Sequence, residues 1–399
     1  MIAEKMKGMV ANSSAIRAMF EEGNRLAEIY GAENVYDFSL GNPNVPAPQA
    51  VKQAMIELLD ESDPVVLHGY TNSNSGYADV RQTVAESVNE RFGTAFTGEN
   101  IVMTVGAAGG LNVIFKTLLD PGDEVLIPQP SYVSYDPCTI LADGVPVSIP
   151  LKNENEFKLT KEELEAVITP KTKILVMPFP NNPTGAIMTR EELEPIAEVV
   201  KEHDLYVISD EIYGELTYKG GHTSIASLPG MKERTLVING FSKGFAMTGW
   251  RLGFVCGPQI IMDQMLKIHQ YAIMCAPTNS QYAAVEALRN CGDEVKKMRD
   301  AYNQRRRFLM SEFKRMGIEC FEPYGAFYVF PCIREFGMTS EEFATRFLEE
   351  EKVAAVPGSA FGDCGEGFLR ISYAYSLEDL KEALGRLEHF VNRLRAEKK

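Results

Sequence analysis

The chain has 399 residues, 45% of them hydrophobic and 24% charged, and 40 Lys+Arg against 55 Asp+Glu give a formal net charge of −15. At about 150 residues per domain the length allows two or three domains, and the composition is that of a globular protein, excluding a disordered chain, a collagen or a coiled coil. An acidic chain without a basic block is a poor partner for duplex nucleic acid or an anionic membrane, although a local basic pocket can still take a small anion.

In chain order, Ser13 or Ser14 is placed to cap a helix carrying Ile16, Phe20, Ala27 and Tyr30 on helical spacing. The run Asn42-Pro43-Asn44-Val45-Pro46-Ala47-Pro48 then breaks regular structure. Val51, Met55, Leu58 and Leu59 predict a short helix, and Val80, Val84, Val88 and Phe92 a second one. From residue 101 short β-rich runs take over: Ile101–Val105, Val125–Ile127, Ile174–Met177, Leu205–Ile208, Thr235–Ile238 and Leu252–Val255. Helical patterns such as Leu111–Leu119 and Glu191–Val200 separate several of them. That alternation predicts an α/β domain with a mostly parallel sheet covered on both faces. A long charged helix over Glu294–Met316, strands at Phe327–Phe330 and Phe368–Ser372, and a last helix after Ser376 predict a smaller α+β domain. The expected division is residues 1–46 with 290–399 for the small domain and 47–289 for the large one.

Seven cysteines, an odd number with no Cys-x-x-Cys pair, read as reduced thiols. The five histidines form no metal-like cluster, so no metal is expected. The N-terminus has no apolar signal core, and no apolar run reaches membrane-spanning length, so a cytoplasmic protein is expected.

Four segments carry possible chemistry, each with a plainer reading beside it. In Gly240-Phe241-Ser242-Lys243, directly after the strand Thr235–Ile238, Lys243 can project an amine into a cleft at the sheet's C-terminal edge and form a Schiff base with an aldehyde. Arg251, eight residues on, has the planar fork that pairs with a phosphate. Alone, either is more often a solvated cation. Asp210 closes the apolar strand of Val207-Ile208-Ser209-Asp210-Glu211-Ile212-Tyr213, where a carboxylate can hold a pyridinium N–H and Tyr213 can donate a hydroxyl. A helix cap and a core tyrosine are the alternatives. The Asn182-Pro183-Thr184-Gly185 turn is either plain turn chemistry or a means to present the Asn182 amide. The small residues of Thr104-Val105-Gly106-Ala107-Ala108-Gly109-Gly110 let backbone N–H groups approach an anion at a helix start; this is not Gly-x-Gly-x-x-Gly, so no dinucleotide site is implied.

Taken together and in this order, the segments resemble the class I/II aminotransferases of the fold-type I pyridoxal-phosphate family, from about Ser39 to the last helix. The resemblance implies pyridoxal 5′-phosphate as cofactor and transfer of an amino group from an L-amino acid (aspartate, aromatic or broad range) to a 2-oxo acid such as 2-oxoglutarate. It implies Lys243 as the Schiff-base lysine and proton shuttle, and Asp210 as partner of the pyridine nitrogen. Tyr213 and Asn182 become ligands of the phenolate oxygen. Ala107, Ala108 and Arg251 hold the phosphate, and Tyr132 stacks on the ring. Arg370 clamps the substrate α-carboxylate, with Asn182 and a backbone contact from Gly41 beside it. Tyr70 reaches the phosphate of a neighbouring subunit, which implies a homodimer with shared sites.

Two positions depart from the pattern. Aspartate-specific relatives often carry a lysine where this chain has Ala108, which leaves room for aromatic, alanine-type or broad specificity. Gly240 stands where many relatives offer a serine to the phosphate. Two other functions share such a chain: a C–S lyase acting by β-elimination, and a non-enzymatic ligand-sensing regulator. The acidic balance and the enzyme-like pattern from the start of the chain oppose the regulator.

Overall fold

The computed structural model of the protein describes residues 2–11 and 15–398, so the expected caps Ser13 and Ser14 lie outside the described residues. The chain opens with α1 (Glu4–Ala11), α2 (Ala15–Tyr30), β1 (Tyr36–Asp37), α3 (Gln49–Glu61), α4 (Pro64–His68) and α5 (Ala78–Phe92). It continues through β2 (Ile101–Thr104), α6 (Gly106–Leu118), β3 (Glu124–Gln129), α7 (Tyr135–Leu141), β4 (Val145–Pro150), α8 (Lys161–Glu165), β5 (Thr172–Met177), α9 (Arg190–Glu202), β6 (Tyr206–Asp210), β7 (Thr235–Gly240) and β8 (Gly253–Cys256). It ends with α10 (Gln259–Ile273), α11 (Thr278–Asn290), α12 (Gly292–Met316), β9 (Tyr328–Val329), α13 (Ser340–Glu351), β10 (Val353–Ala354), β11 (Val356–Pro357), β12 (Leu369–Ser372) and α14 (Leu377–Glu397).

Seven strands form the main sheet in the order β2-β8-β7-β6-β5-β3-β4. Only β8 runs against its neighbours, so the mostly parallel sheet expected from the sequence is present. Burial on both faces explains why the strands read as unbroken apolar runs. Ile174 and Val176 of β5, Ile208 of β6, and Leu236 and Ile238 of β7 pack under α6 and α10. Leu175 and Met177 of β5 and Val207 of β6 face α9 on the other side, where Val237 of β7 and Phe254 of β8 meet α5 and α11. At about 1.5–3 kcal/mol per fully buried aliphatic side chain, this two-sided burial outweighs any local propensity.

The edge strand β4 was not among the expected strands. Its Pro146 and Pro150 read as breakers, but an edge strand tolerates proline because one rim of its backbone has no partner. Helices α10, α11 and α13 also lie outside the patterns named from sequence. Helix boundaries elsewhere follow local chemistry. Thr189 and Thr339 each form a reciprocal capping box with the glutamate three residues on. The Ser376 hydroxyl accepts from the Asp379 N–H at the start of α14. Gly317 stops α12 in the left-handed conformation, φ 71°.

The two ends of the chain come together. β1 pairs in parallel with β10, and β12 lies between β11 and β9 in a small antiparallel sheet. Leu26 and Phe38 share one core with residues of α12, α13 and α14, and Tyr213 and Leu216 from the main-sheet side join it. That contact carries the end of the chain to the C-terminal edge of the main sheet, where the parallel strands stop and their loops begin.

Candidate active site

The loops after β2, β3, β5, β6 and β7 open at this edge onto one cavity of about 520 Å³. Its walls include Gly41, Ala107, Ala108, Tyr132, Asn182, Asp210, Tyr213, Lys243, Arg251 and Arg370. Of the residues singled out from the sequence, only Tyr70 lies elsewhere: it is 78% exposed on the surface.

Asp210 ends β6 and is buried. Its Oδ2 accepts from the Tyr135 hydroxyl at 2.8 Å and its Oδ1 from the Ile212 N–H at 3.2 Å. Burial raises its pKa and these two donors oppose the rise. A cationic N–H arriving at the carboxylate would compensate the charge that burial disfavours.

Lys243 follows the end of β7, and its ammonium donates to the Gly41 carbonyl. Desolvation first, then the positive charges of Arg370 and Arg251, lower its pKa to about 8. Gly240, at the end of β7, sits so close to β8 that a Cβ would lie 2.8 Å from Gly253 Cα. The strand pair leaves no room for a serine there, which explains the departure seen in the sequence.

The first turn of α6 has no side-chain cap, and its Ala107 and Ala108 line the cavity. Gly106 has φ 67°, and a Cβ on it would stand 2.9 Å from Arg251 Nη2. Glycine therefore lets the guanidinium approach the helix start. Arg251 is itself left-handed, φ 53°, with Nη1 donating to the Thr248 carbonyl at 3.0 Å. A helix N-terminus with an arginine beside it is built for a phosphate-sized anion.

Arg370 on β12 is 3% exposed. Nη1 donates to Asn182 Oδ1 at 2.9 Å, and Nη2 donates to the Ser39 carbonyl. The guanidinium lies over the rings of Tyr328 (4.6 Å) and Phe361 (4.9 Å). Among the described residues its buried Nε has no partner, nor has the buried Ser39 hydroxyl. Because Asn182 commits its carbonyl to Arg370, its amide NH₂ remains a donor.

Three wall residues escaped the sequence patterns. Tyr135 holds Asp210, Ser39 supplies a carbonyl to Arg370, and Tyr328 places its hydroxyl 2.8 Å from that of Tyr213. Tyr135 opens α7 three residues after Tyr132; its N–H donates to the Tyr132 carbonyl at 3.3 Å, and the two rings meet edge-on with centroids 5.6 Å apart. Tyr328 follows Gly325-Ala326, where Ala326 is left-handed (φ 56°), a small-residue bend before an aromatic pair. Among the described residues no group of three or more His, Cys, Asp or Glu is disposed to hold a metal, and no helix is long and apolar enough to cross a membrane.

A buried carboxylate, a lysine held partly neutral and an anion cradle on loops of one parallel sheet fit pyridoxal phosphate point by point, and they define a fold-type I pyridoxal-phosphate enzyme. The sequence model for class I and II aminotransferases matches residues 33–387. The chain is 43% identical over 383 residues to aromatic-amino-acid aminotransferase 2 of Thermococcus litoralis, covering 95% of this chain and 96% of that one. It is also 43% identical over 385 residues to the aspartate aminotransferase of Pyrococcus abyssi, with the same coverage. The crystal structure of the aromatic aminotransferase of Pyrococcus horikoshii superposes with a TM-score of 0.87 at 43% identity, covering 90% of this chain and 96% of that one. The chain belongs to the class I and II aminotransferase family. It is a pyridoxal-phosphate-dependent aminotransferase.

Proposed function

We propose that the enzyme transfers the amino group of L-amino acids with aromatic or other uncharged side chains, and more weakly of aspartate, to a 2-oxo acid such as 2-oxoglutarate. The observation that carries this reading is Arg370: a buried guanidinium facing a cavity, with an unpartnered Nε and no carboxylate among its hydrogen-bond partners. A substrate α-carboxylate supplies the missing anion. Three cations line the cavity, and all three are accounted for, Lys243 by the chemistry, Arg251 by the phosphate and Arg370 by the α-carboxylate. No fourth described cation remains for a distal carboxylate, and Leu40, Tyr132, Pro180, Ile212 and Tyr328 offer an apolar wall instead.

When bound, pyridoxal phosphate supplies an aldehyde and an electron sink for the substrate Cα. Asp210 holds the proton on the pyridine nitrogen. Lys243, as free amine, moves the proton between Cα and C4′. Tyr213 and the Asn182 amide donate to the phenolate oxygen, Tyr132 covers the ring, and Ala107, Ala108 and Arg251 hold the phosphate. Gly41 presents backbone to the substrate carboxylate. In the same reading the protein is cytoplasmic and a homodimer in which Tyr70 completes the partner's phosphate site. Residues 1–46 with 290–399 form the small domain and 47–289 the large one.

The test is titration of the cofactor-loaded enzyme with phenylalanine, tyrosine, alanine, glutamate, aspartate and cystathionine, one at a time and without acceptor. Stoichiometric conversion of the visible band to that of the pyridoxamine form is expected, with aromatic donors ahead of aspartate. Continuous pyruvate release with the original band restored would instead make the enzyme a β-eliminating lyase. Aspartate ahead of every aromatic donor would overturn the specificity.

A further inference from the structure

We propose that Tyr328 is a positioning residue that aims and strengthens the Tyr213 hydroxyl toward the phenolate oxygen of the cofactor. This rests on the assignment of Tyr213 made above. Tyr328 is 1% exposed and Tyr213 5%, and their hydroxyl oxygens lie 2.8 Å apart. Burial holds both phenols above their ordinary pKa, so both carry a proton at neutral pH.

Two hydroxyls that share one hydrogen bond use one of their two protons in it. Which proton is used decides whether Tyr213 can serve the cavity. If Tyr213 donates to Tyr328, its oxygen can only accept from the cavity side, and a phenolate there meets lone pairs. If Tyr328 donates, the Tyr213 proton is free.

The surroundings favour the second arrangement. The Arg370 guanidinium lies 4.6 Å from the Tyr328 ring centre, and against burial its positive charge lowers the pKa of both phenols. At Tyr328 it is second only to burial, whereas at Tyr213 it ranks behind the contact with Tyr328 and is opposed by Asp210, so Tyr328 is the more willing donor. On its other side the Tyr328 hydroxyl is packed against Gly41, where a Cβ would overlap the oxygen. This contact leaves the Tyr213 oxygen as its acceptor, and Tyr213 turns its own O–H to the cavity. A donor that itself accepts a hydrogen bond is polarised by it and binds an anion more strongly. Gly41 and Arg370 thus fix Tyr328, and Tyr328 fixes Tyr213.

A phenolate that is better solvated by Tyr213 makes the nitrogen of the lysine-bound cofactor easier to deprotonate. The readout is therefore the pH midpoint of the cofactor's visible absorbance, without substrate, in the wild type, Tyr213→Phe, Tyr328→Phe and the double variant. Tyr213→Phe raises the midpoint. Tyr328→Phe raises it by a smaller amount, about half a unit for a 10–30% change in hydrogen-bond strength. The double variant matches Tyr213→Phe alone, because the relay has nothing left to act on. Pyridoxal phosphate affinity stays within about twofold in Tyr328→Phe, since the phosphate cradle is untouched, and its melting temperature reports that the fold is intact.

An unmoved midpoint in Tyr328→Phe, or shifts that add in the double variant, would overturn the relay. A wild-type protein with no visible band, or a band unaffected by Lys243→Ala, would overturn the cofactor assignment of the residues instead. An unmoved midpoint in Tyr213→Phe would overturn the role of Tyr213 and the relay with it.

Discussion

In the proposed mechanism Lys243 acts as a base, yet an ordinary lysine at neutral pH is almost entirely an ammonium. With its pKa lowered to about 8, roughly one amine in four is neutral at pH 7.5, against about one in a thousand for an unperturbed lysine. Desolvation is the larger cause, and the two arginines add to it. The same arginines grip the two anionic ends in the proposed site, so one pair of charges serves binding and basicity together. The sign follows directly: the neutral fraction rises with pH and levels off above the folded-state pKa. Capture of pyridoxal phosphate by the apo-enzyme should accelerate with pH to a plateau whose midpoint is near 8. Arg370→Gln should move that midpoint upward, because removing a nearby cation stabilises the ammonium. A rate that climbs without a plateau to pH 10 would mean that Lys243 titrates as an ordinary lysine.

Elements, more than single residues, decide how much of this is legible in the sequence. The six strands visible there are buried on both faces, and in an α/β chain a short, unbroken apolar run rarely forms anything else. The edge strand β4 and helices α10, α11 and α13 escape because half-exposed elements carry weaker patterns, and Pro146 and Pro150 of β4 imitate a loop. The loop residues at strand ends are legible as motifs, since Ser242-Lys243 and Asn182-Pro183-Thr184-Gly185 are specific in type and spacing. Tyr135, Tyr328 and Ser39 are not, because each acts on another side chain across the fold and no local spacing records such a pairing. The start of α6 shows what a strand-to-helix turn contributes. Gly106→Ala forces a side chain into the left-handed region and against Arg251, at a cost of about 1–2 kcal/mol. Felt at the phosphate site, that is about a tenfold weaker pyridoxal phosphate affinity. Gly122→Ala is the control: it is also left-handed, φ 95°, with nothing within 4 Å of the new Cβ. It should lower the melting temperature of the apo-enzyme and leave the dissociation constant unchanged. Equal affinity for both variants would show that Gly106 serves the backbone alone.

At the scale of the whole molecule, the exposed residues are as informative as the buried ones. Val65 and Val66 of α4 and the following Tyr70 face solvent, as do Tyr271 and Ile273 at the end of α10. The Thr278 hydroxyl donates to the Gly69 carbonyl at 3.3 Å, which sets the Tyr70 loop against the junction of α10 and α11. An exposed apolar surface of this kind is the usual mark of a protein interface. It offers the proposed dimer a place to form, in which Tyr70 would reach the partner's cavity. Tyr70→Phe should then weaken pyridoxal phosphate binding by a few fold to tenfold, the range of one hydrogen bond to a charged group. Lys243→Ala should abolish the visible cofactor band in its own chain. In a mixed dimer of the two variants one site combines intact Lys243 from one chain with intact Tyr70 from the other, and the second site lacks both. Unfolding and refolding the variants together should therefore restore a class of tight sites that neither variant has alone. Its absence, alongside dimers confirmed by sedimentation, would mean that each chain binds its phosphate without help from the partner.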